Sequence, residues 1–168
     1  MSRSAPTLAL SFEPMRAEDL DAVMEIERRS FPEPWTPGLF LHELKIPFSK
    51  TVLARSTSGE LVGYVCWWAV GDEIQILNVA VSPEHRRSGI GSALIDLVMS
   101  DAHEKQVRSV TLEVHRDNQS GAALYRSIGF VETGVRKNYY GRGKDAIIMT
   151  RQLNKPSTNE SSSATSVS

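Results

Sequence analysis

The sequence lacks several features that would each indicate a particular class of protein. It contains one cysteine, Cys66, which excludes an internal disulfide and a cysteine-based zinc cluster. No apolar run approaches the ~18 residues of a membrane-spanning helix, and the N-terminal residues hold no convincing signal-peptide core. Lys and Arg number 19 and Asp and Glu 20, so the net charge of −1 gives no strong field for nucleic acid or an anionic membrane. We therefore expect a cytoplasmic protein with no direct nucleic-acid or membrane partner.

Length and composition favour a single folded domain. The chain has 168 residues, of which 40% are hydrophobic and 23% charged, as in ordinary globular domains. Residues 154–168 are rich in serine and threonine and nearly free of apolar side chains. Such a segment cannot bury enough surface to become ordered. We predict one domain over residues 1–153 and a disordered serine-rich tail over residues 154–168.

Apolar periodicity predicts alternating strands and helices. Leu20, Val23, Met24 and Ile26, for example, recur at the spacing of one helix face. Strands are predicted near residues 8–12, 51–55, 61–70, 73–81, 110–114, 130–133 and 146–150, and helices near residues 20–26, 38–45, 90–102 and 118–127. The order β α α β β β α β α β β is typical of an α/β or α+β domain.

A turn that contains glycine lies between a predicted strand and a predicted helix. It consists of Arg86, Arg87, Ser88, Gly89, Ile90, Gly91 and Ser92. The free N–H groups and the positive dipole end of a helix start attract phosphate or pyrophosphate, and glycines let such a ligand approach the backbone. The pattern equally fits a helix start whose glycines serve packing. It is neither a P-loop nor a dinucleotide fingerprint, since the following Gly-Lys-Ser/Thr and the third glycine are absent.

Two residues are candidates for acid–base chemistry. Glu113 lies on a predicted strand whose other face is apolar, so it is either a functional carboxylate in a cleft or a solvated or paired residue near a sheet edge. Tyr125 lies in a predicted helix, where it is either functional or an amphipathic core residue whose hydroxyl reaches solvent. Both alternatives are open on the residues alone.

The run from Asn78 to Gly91 resembles the acetyl-CoA motif of the GNAT superfamily of N-acetyltransferases, in which Gln/Arg-x-x-Gly-x-Gly/Ala follows a strand. The resemblance implies the GNAT fold, a mixed sheet of about six to seven strands with about four helices in three α-β-α layers. It implies that the backbone of Val79, Ala80 and Val81 bonds the pantetheine arm of acetyl-CoA. It also implies that the turn from Arg86 to Ser92 holds the pyrophosphate.

The later part of the chain is similar to the RimI branch of that superfamily, whose members acetylate the N-terminal alanine of a ribosomal protein. The similarity covers residues 112–118, 122–130, 136–140 and 145–149. By residue match it makes Glu113 the general base, Tyr125 the general acid and Asn118 a contact of coenzyme A. It further implies that Trp35, Tyr139 and Tyr140 wall the acceptor slot, although the tyrosine pair equally fits the packing of a hairpin. The segment 141–144 departs from the branch.

The resemblance predicts an acetyl-CoA-dependent N-alpha-acetyltransferase. It would pass the acetyl group directly, in a ternary complex, to the N-terminal residue, alanine, of a small-subunit ribosomal protein, and would act as a monomer or weak dimer. A lysine or small-amine acetyltransferase and an inactive coenzyme-A-binding regulatory module are the alternatives. His42, His85, His103 and His115 show no metal-ligand spacing, so we assign no metal and no catalytic histidine.

Overall fold

The computed structural model describes residues 9–153, so the predicted tail lies outside the described residues. The strands are β1 (Leu10–Pro14), β2 (Ser49–Ser56), β3 (Leu61–Val70), β4 (Glu73–Val81), β5 (Ser109–His115), β6 (Val131–Arg136) and β7 (Ala146–Gln152). The helices are α1 (Leu20–Ser30), α2 (Pro37–Glu43), α3 (Ile90–Lys105) and α4 (Gln119–Ser127). Their order is the predicted one. Within the described part of the chain, no helix is long and apolar enough to cross a membrane.

The seven strands form one mixed sheet in the order β1-β2-β3-β4-β5-β7-β6. Strands β4 and β5 are parallel, and α3 supplies the crossover connection that a parallel pair needs. Their pairing runs only from Glu73 opposite Ser109 to Ile76 opposite Leu112. Beyond these pairs the two strands diverge, and the second half of β4 keeps hydrogen-bonded contact with β3 alone among its neighbours in the sheet. The sheet therefore opens into a gap at its centre.

Two apolar cores cover the two faces of the sheet, which gives the three predicted layers. On one face α1 and α2 pack their buried residues, such as Val23 and Phe40, against Leu53 and Tyr64. On the other face α3 and α4 pack against β3, β4, β5 and β7, with Ile90, Leu94 and Val98 among the buried residues. The α-β-α fold that the sequence predicted is confirmed.

An irregularity in β4 changes which residues face each layer. Cys66 pairs with Asn78, whereas Trp67 pairs with Ile76, so Leu77 has no partner of its own in β3, as in a β-bulge. Before this point Ile76 packs into the core under α3. After it Ala80 packs into the core under α1. The bulge lies where β4 leaves β5 and thus shapes the gap.

Side-chain caps fix the helices next to the gap. The Thr36 hydroxyl accepts a hydrogen bond from Leu39 N at 3.2 Å and so caps the start of α2. Asn118 caps α4 in the same way, since its Oδ1 accepts from Gly121 N at 2.9 Å. Gly129 follows α4 with a φ of +107°, a conformation that suits glycine at a helix end.

Candidate active site

The gap between β4 and β5 holds two adjoining cavities. A small pocket of about 130 Å³ lies between Leu77–Val79 on β4 and Leu112–His115 on β5. A larger cleft of about 1190 Å³ extends from it along the second half of β4 toward the start of α3. Phe31, His115 and Tyr125 line both cavities, so the two share a wall.

Nearly all of the residues predicted from the sequence to bind the cofactor line the larger cleft. Its lining includes Val79, Ala80, Val81, Arg86, Arg87, Gly89, Ile90, Gly91, Ser92 and Asn118. Ser88 lies outside this lining, and its hydroxyl donates to the carbonyl oxygen of His85 at 2.5 Å. The cleft therefore borders both the strand edge that β5 leaves unpaired and the N-terminus of α3.

The two glycines of the turn before α3 have different structural roles. Gly89 has a φ of +86°, and Arg87 also has a positive φ, of 64°, so the turn needs left-handed backbone there. A Cβ at Gly91 would lie 3.1 Å from Cδ2 of Leu124, so this glycine permits the close approach of α3 and α4. Arg86 folds back along the turn, where its Nε donates to the Val81 carbonyl at 3.1 Å.

The small pocket contains both candidate acid–base residues, although they come from different elements. Glu113 on β5 and Tyr125 on α4 line it together. The Glu113 side chain is 12% exposed, and Arg136 Nε lies 2.9 Å from its Oε2. Glu113 also shares a hydrogen bond with Tyr139, and burial first and then this carboxylate raise the pKa of Tyr139. Glu113 is thus both a paired residue and a wall of the pocket.

The tyrosines around the pocket hold their protons firmly. Burial, followed by the neighbouring Tyr140, raises the pKa of Tyr125 well above its usual range. Burial, followed by Tyr139 and Glu113, raises the pKa of Tyr140 to about 12. Tyr140 lines the pocket and stacks on His115, with ring centroids 4.9 Å apart, whereas Tyr139 is 49% exposed at its rim. At neutral pH all three hydroxyls are therefore donors.

The loop between α1 and α2 also lines the pocket. Trp35 lines the pocket together with Phe31 and Glu33. Glu33 pairs with Lys144 Nζ at 2.8 Å, which links this loop to the segment 141–144. The loop and Tyr140 therefore both line the pocket, and the ion pair joins the loop to the segment that follows Tyr140.

Two residues that the sequence analysis did not select also line the pocket. His115 lies two residues beyond Glu113 on the same face of β5, and its Nδ1 accepts from Asp117 N at 3.1 Å. Glu27 is a buried carboxylate on α1. A signal for Glu27 exists in the sequence, because it lies at helical spacing from Val23 and Met24 and so falls on their apolar face. Residues 9–153 contain no group of three His, Cys, Asp or Glu residues that could hold a metal ion.

Comparison with known proteins identifies the family. Residues 20–130 match the model of the acetyltransferase (GNAT) family. Ribosomal protein bS18-alanine N-acetyltransferase of Escherichia coli (strain K12) is 33% identical over 139 residues, which cover 80% of this chain and 92% of the relative. A Bacillus subtilis (strain 168) protein that carries the same name provisionally is 40% identical over 143 residues, which cover 84% of this chain and 94% of the relative.

A solved structure agrees with these sequence matches. The crystal structure of the Escherichia coli ribosomal-protein-S18-alanine N-acetyltransferase superposes with a TM-score of 0.78 at 29% identity, covering 88% of this chain and 96% of that chain. The predicted resemblance to the GNAT superfamily and to its RimI branch is confirmed. The chain belongs to the acetyltransferase (GNAT) family.

Proposed function

We propose that this protein is an acetyl-CoA-dependent N-alpha-acetyltransferase that acetylates the N-terminal alanine of a small-subunit ribosomal protein. The observation that carries the proposal is the gap between β4 and β5, where a large cleft meets a small pocket lined by Glu113 and Tyr125. A donor and an acceptor that enter from opposite sides would meet in this pocket. The names of the bacterial relatives, which act on bS18, support the choice of acceptor.

The residues of the larger cleft fit acetyl-CoA. When bound, acetyl-CoA supplies an activated acetyl thioester. The edge of β4 at Val79–Val81, which β5 does not pair, is open to an extended amide-containing arm that would bind there as another strand does. The turn from Arg86 to Ser92 offers N–H groups and a helix dipole to pyrophosphate. Asn118 lines both cavities beside its capping bond, and its contact with coenzyme A is part of this proposal.

Glu113 is the proposed general base. An α-amino group with a pKa of ~8 is appreciably neutral at cellular pH, whereas a lysine near ~10.4 is neutral to about one part in a thousand. A carboxylate that acts through a water molecule is therefore adequate for an α-amine. In the transfer the amine nitrogen forms the new bond to the acetyl carbon, and its surplus proton passes to Glu113.

Tyr125 is the proposed general acid. As the carbon–sulfur bond breaks, negative charge develops on sulfur, and the Tyr125 hydroxyl donates a hydrogen bond and then its proton to it. Its raised pKa keeps the proton in place until that charge develops. Transfer is direct within a ternary complex, so the step needs no covalent enzyme intermediate and no metal.

The acceptor side of the pocket favours a peptide with a small first residue, and the charge of the protein favours an acceptor that is not yet part of a ribosomal subunit. A pocket of about 130 Å³ has little room beyond the acetyl group and a short side chain. Trp35, Tyr139 and Tyr140 are proposed to contact the first residues of the acceptor. With a net charge of −1, the protein has little attraction for ribosomal RNA, so newly made ribosomal protein is a better acceptor than the assembled subunit.

A peptide panel tests the proposal. Release of coenzyme A is measured with acetyl-CoA and short peptides that differ in their first residue, each with a free or a blocked α-amine and one internal lysine. We expect turnover with free α-amines, highest for alanine. Equal turnover of blocked peptides would assign the enzyme to lysine acetylation. Binding of acetyl-CoA without any peptide turnover would favour a small-amine enzyme or a regulatory module.

A further inference from the structure

Glu27 is a buried carboxylate that the proposed chemistry does not use. The residue is 1% exposed, and a carboxylate is buried at such a position only when donors surround it. Its Oε1 accepts from the Tyr64 hydroxyl at 2.6 Å and from Asn78 Nδ2 at 3.0 Å. Its Oε2 accepts from Trp35 N at 2.9 Å and from Asn78 Nδ2 at 3.2 Å. Both oxygens are therefore bound by donors, which come from three residues of different elements.

Two of the donors to Glu27 belong to different elements that line the small pocket. Trp35 lies on the loop between α1 and α2, and Asn78 lies on β4 next to the bulge at Leu77. One carboxylate binds both Trp35 N and Asn78 Nδ2. The distance between the loop and β4 therefore depends on the position of the Glu27 side chain. The same side chain thus ties together two elements that line the pocket.

The loop has few other ways to be fixed. Pro32 and Pro34 have no N–H group, which leaves few backbone donors between α1 and α2. Of these, Phe31 N donates to the Glu27 carbonyl at 3.2 Å, and Trp35 N donates to the Glu27 carboxylate. Both ends of the pocket-lining loop are therefore attached to the same residue.

Aromatic packing provides a second link between the loop and Glu27. The Trp35 ring contacts Phe40, with centroids 4.9 Å apart, and Phe40 contacts Tyr64 edge-on at 5.9 Å. Tyr64 in turn donates to Glu27. The indole position is thus coupled to the carboxylate through the main chain and through the rings.

We infer that Glu27 is a positioning residue that holds the Trp35 loop at a fixed distance from β4 and thereby restricts the acceptor slot to a small first residue. The inference rests on the proposed function for the nature of the acceptor. It assigns to Glu27 an effect on acceptor binding and selectivity and none on acetyl-CoA binding, because the larger cleft is lined by other residues.

Replacement of Glu27 by leucine, which keeps much of the volume and removes both acceptors, tests the inference. The matched control is Glu43→Leu. Glu43 is another buried carboxylate of the same helical layer, 5% exposed, and it accepts from Ser49 Oγ at 2.6 Å and from Trp68 Nε1 at 2.8 Å, away from both cavities. KM and kcat are measured for peptides that begin with alanine or leucine, together with KM for acetyl-CoA.

We expect Glu27→Leu to raise KM for the alanine peptide by about tenfold, with kcat and the acetyl-CoA KM within about threefold of wild type. The preference for alanine over leucine in kcat/KM falls by about tenfold. Glu43→Leu lowers the melting temperature and leaves KM and preference unchanged. Glu27→Gln, which restores one acceptor oxygen, is intermediate. If Glu27→Leu does not fold, the glutamine variant decides alone: a KM raised at least threefold supports the inference, and a wild-type KM overturns it.

Hydrogen exchange of the Trp35 amide gives a readout that needs no substrate. The amide is expected to lose protection in Glu27→Leu and to keep it in Glu43→Leu. Wild-type protection in a folded Glu27→Leu protein, or equal kinetic changes in both variants, would overturn the role of Glu27. Failure of the wild-type enzyme to acetylate any peptide would instead refute the proposed function, and the exchange measurement would still decide whether Glu27 fixes the loop.

Discussion

The carboxylate of Glu113 is the proposed proton acceptor. Its replacement by glutamine therefore tests its effect on turnover separately from its effect on folding stability. The amide has nearly the same volume but cannot accept the surplus proton of the amine. General acid–base groups contribute about 10²–10⁴-fold to rate, so kcat is expected to fall by that factor, or about 3–5 kcal/mol in the barrier. Coenzyme A release with a saturating alanine peptide and saturating acetyl-CoA measures the loss.

The structure predicts a small cost in stability for the same change. Arg136, the ion-pair partner of Glu113, is 54% exposed, and pairs of this kind contribute about 0–1 kcal/mol. The free energy of unfolding of Glu113→Gln, measured in urea, should therefore fall by less than about 1 kcal/mol. Arg136→Gln is the control, because it removes the same ion pair and leaves the carboxylate, and its kcat should stay within about tenfold of wild type.

Two results would refute this reasoning. If kcat of Glu113→Gln stays within twofold of wild type, Glu113 is not the base. If Arg136→Gln loses as much turnover as Glu113→Gln at equal stability, the ion pair rather than proton transfer is what the reaction needs.

Three other predictions concern the surroundings of the site. Gly63→Ala would place a Cβ 2.8 Å from the Ala80 carbonyl oxygen on β4, so the free energy of unfolding in urea should fall by about 1–3 kcal/mol. The hydrogen bonds from Arg29, the largest cause, lower the pKa of Glu84 from 4.5 to about 2. The contribution of this ion pair to folding stability is complete above pH 4.5 and is lost as the pH falls through about 2. In Arg29→Met, an NMR titration should show the pKa of Glu84 returning toward 4.5. His115→Ala uncovers one face of the Tyr140 ring, so the pKa of Tyr140, measured by NMR, should fall from about 12 toward 10.

Much of the fold follows from periodicity and local capping signals. The apolar spacing of α1 appears in the structure as the sequence predicts, and Thr36 and Gly129 lie at helix ends that their residue types favour. The ends of the elements are less predictable. Strand β6 runs to Arg136 rather than to Thr133, because its pairing with β7 continues across exposed residues that have no apolar alternation.

The bulge in β4 could not be predicted from the sequence. Ile74, Ile76 and Ala80 alternate with perfect regularity, which predicts that all three face the same layer. The structure puts Ile76 and Ala80 in different cores, because pairing with β3 leaves Leu77 without a partner. Register across two strands, rather than the pattern along one, decides the direction of these side chains.

The residues of the site also differ in how far the sequence predicts them. Residues that act through a contiguous motif, such as the turn from Arg86 to Ser92, are visible in the sequence. Helical spacing places Glu27 on an apolar face, but its contacts and those of His115 cannot be predicted, because they involve partners that are distant in the chain, such as Asn78 and Tyr140. That Glu113 and Tyr125 line one pocket likewise depends on the divergence of β4 from β5, which the pairing of the whole sheet determines.

The position of the transferred acetyl group tests the central claim most directly. The enzyme is incubated with acetyl-CoA and a peptide that begins with alanine and carries one internal lysine, and fragmentation mass spectrometry locates the added mass. The account predicts acetylation of the N-terminal α-amine and an unmodified lysine. Acetyl groups on the lysine with a free N-terminus would contradict it.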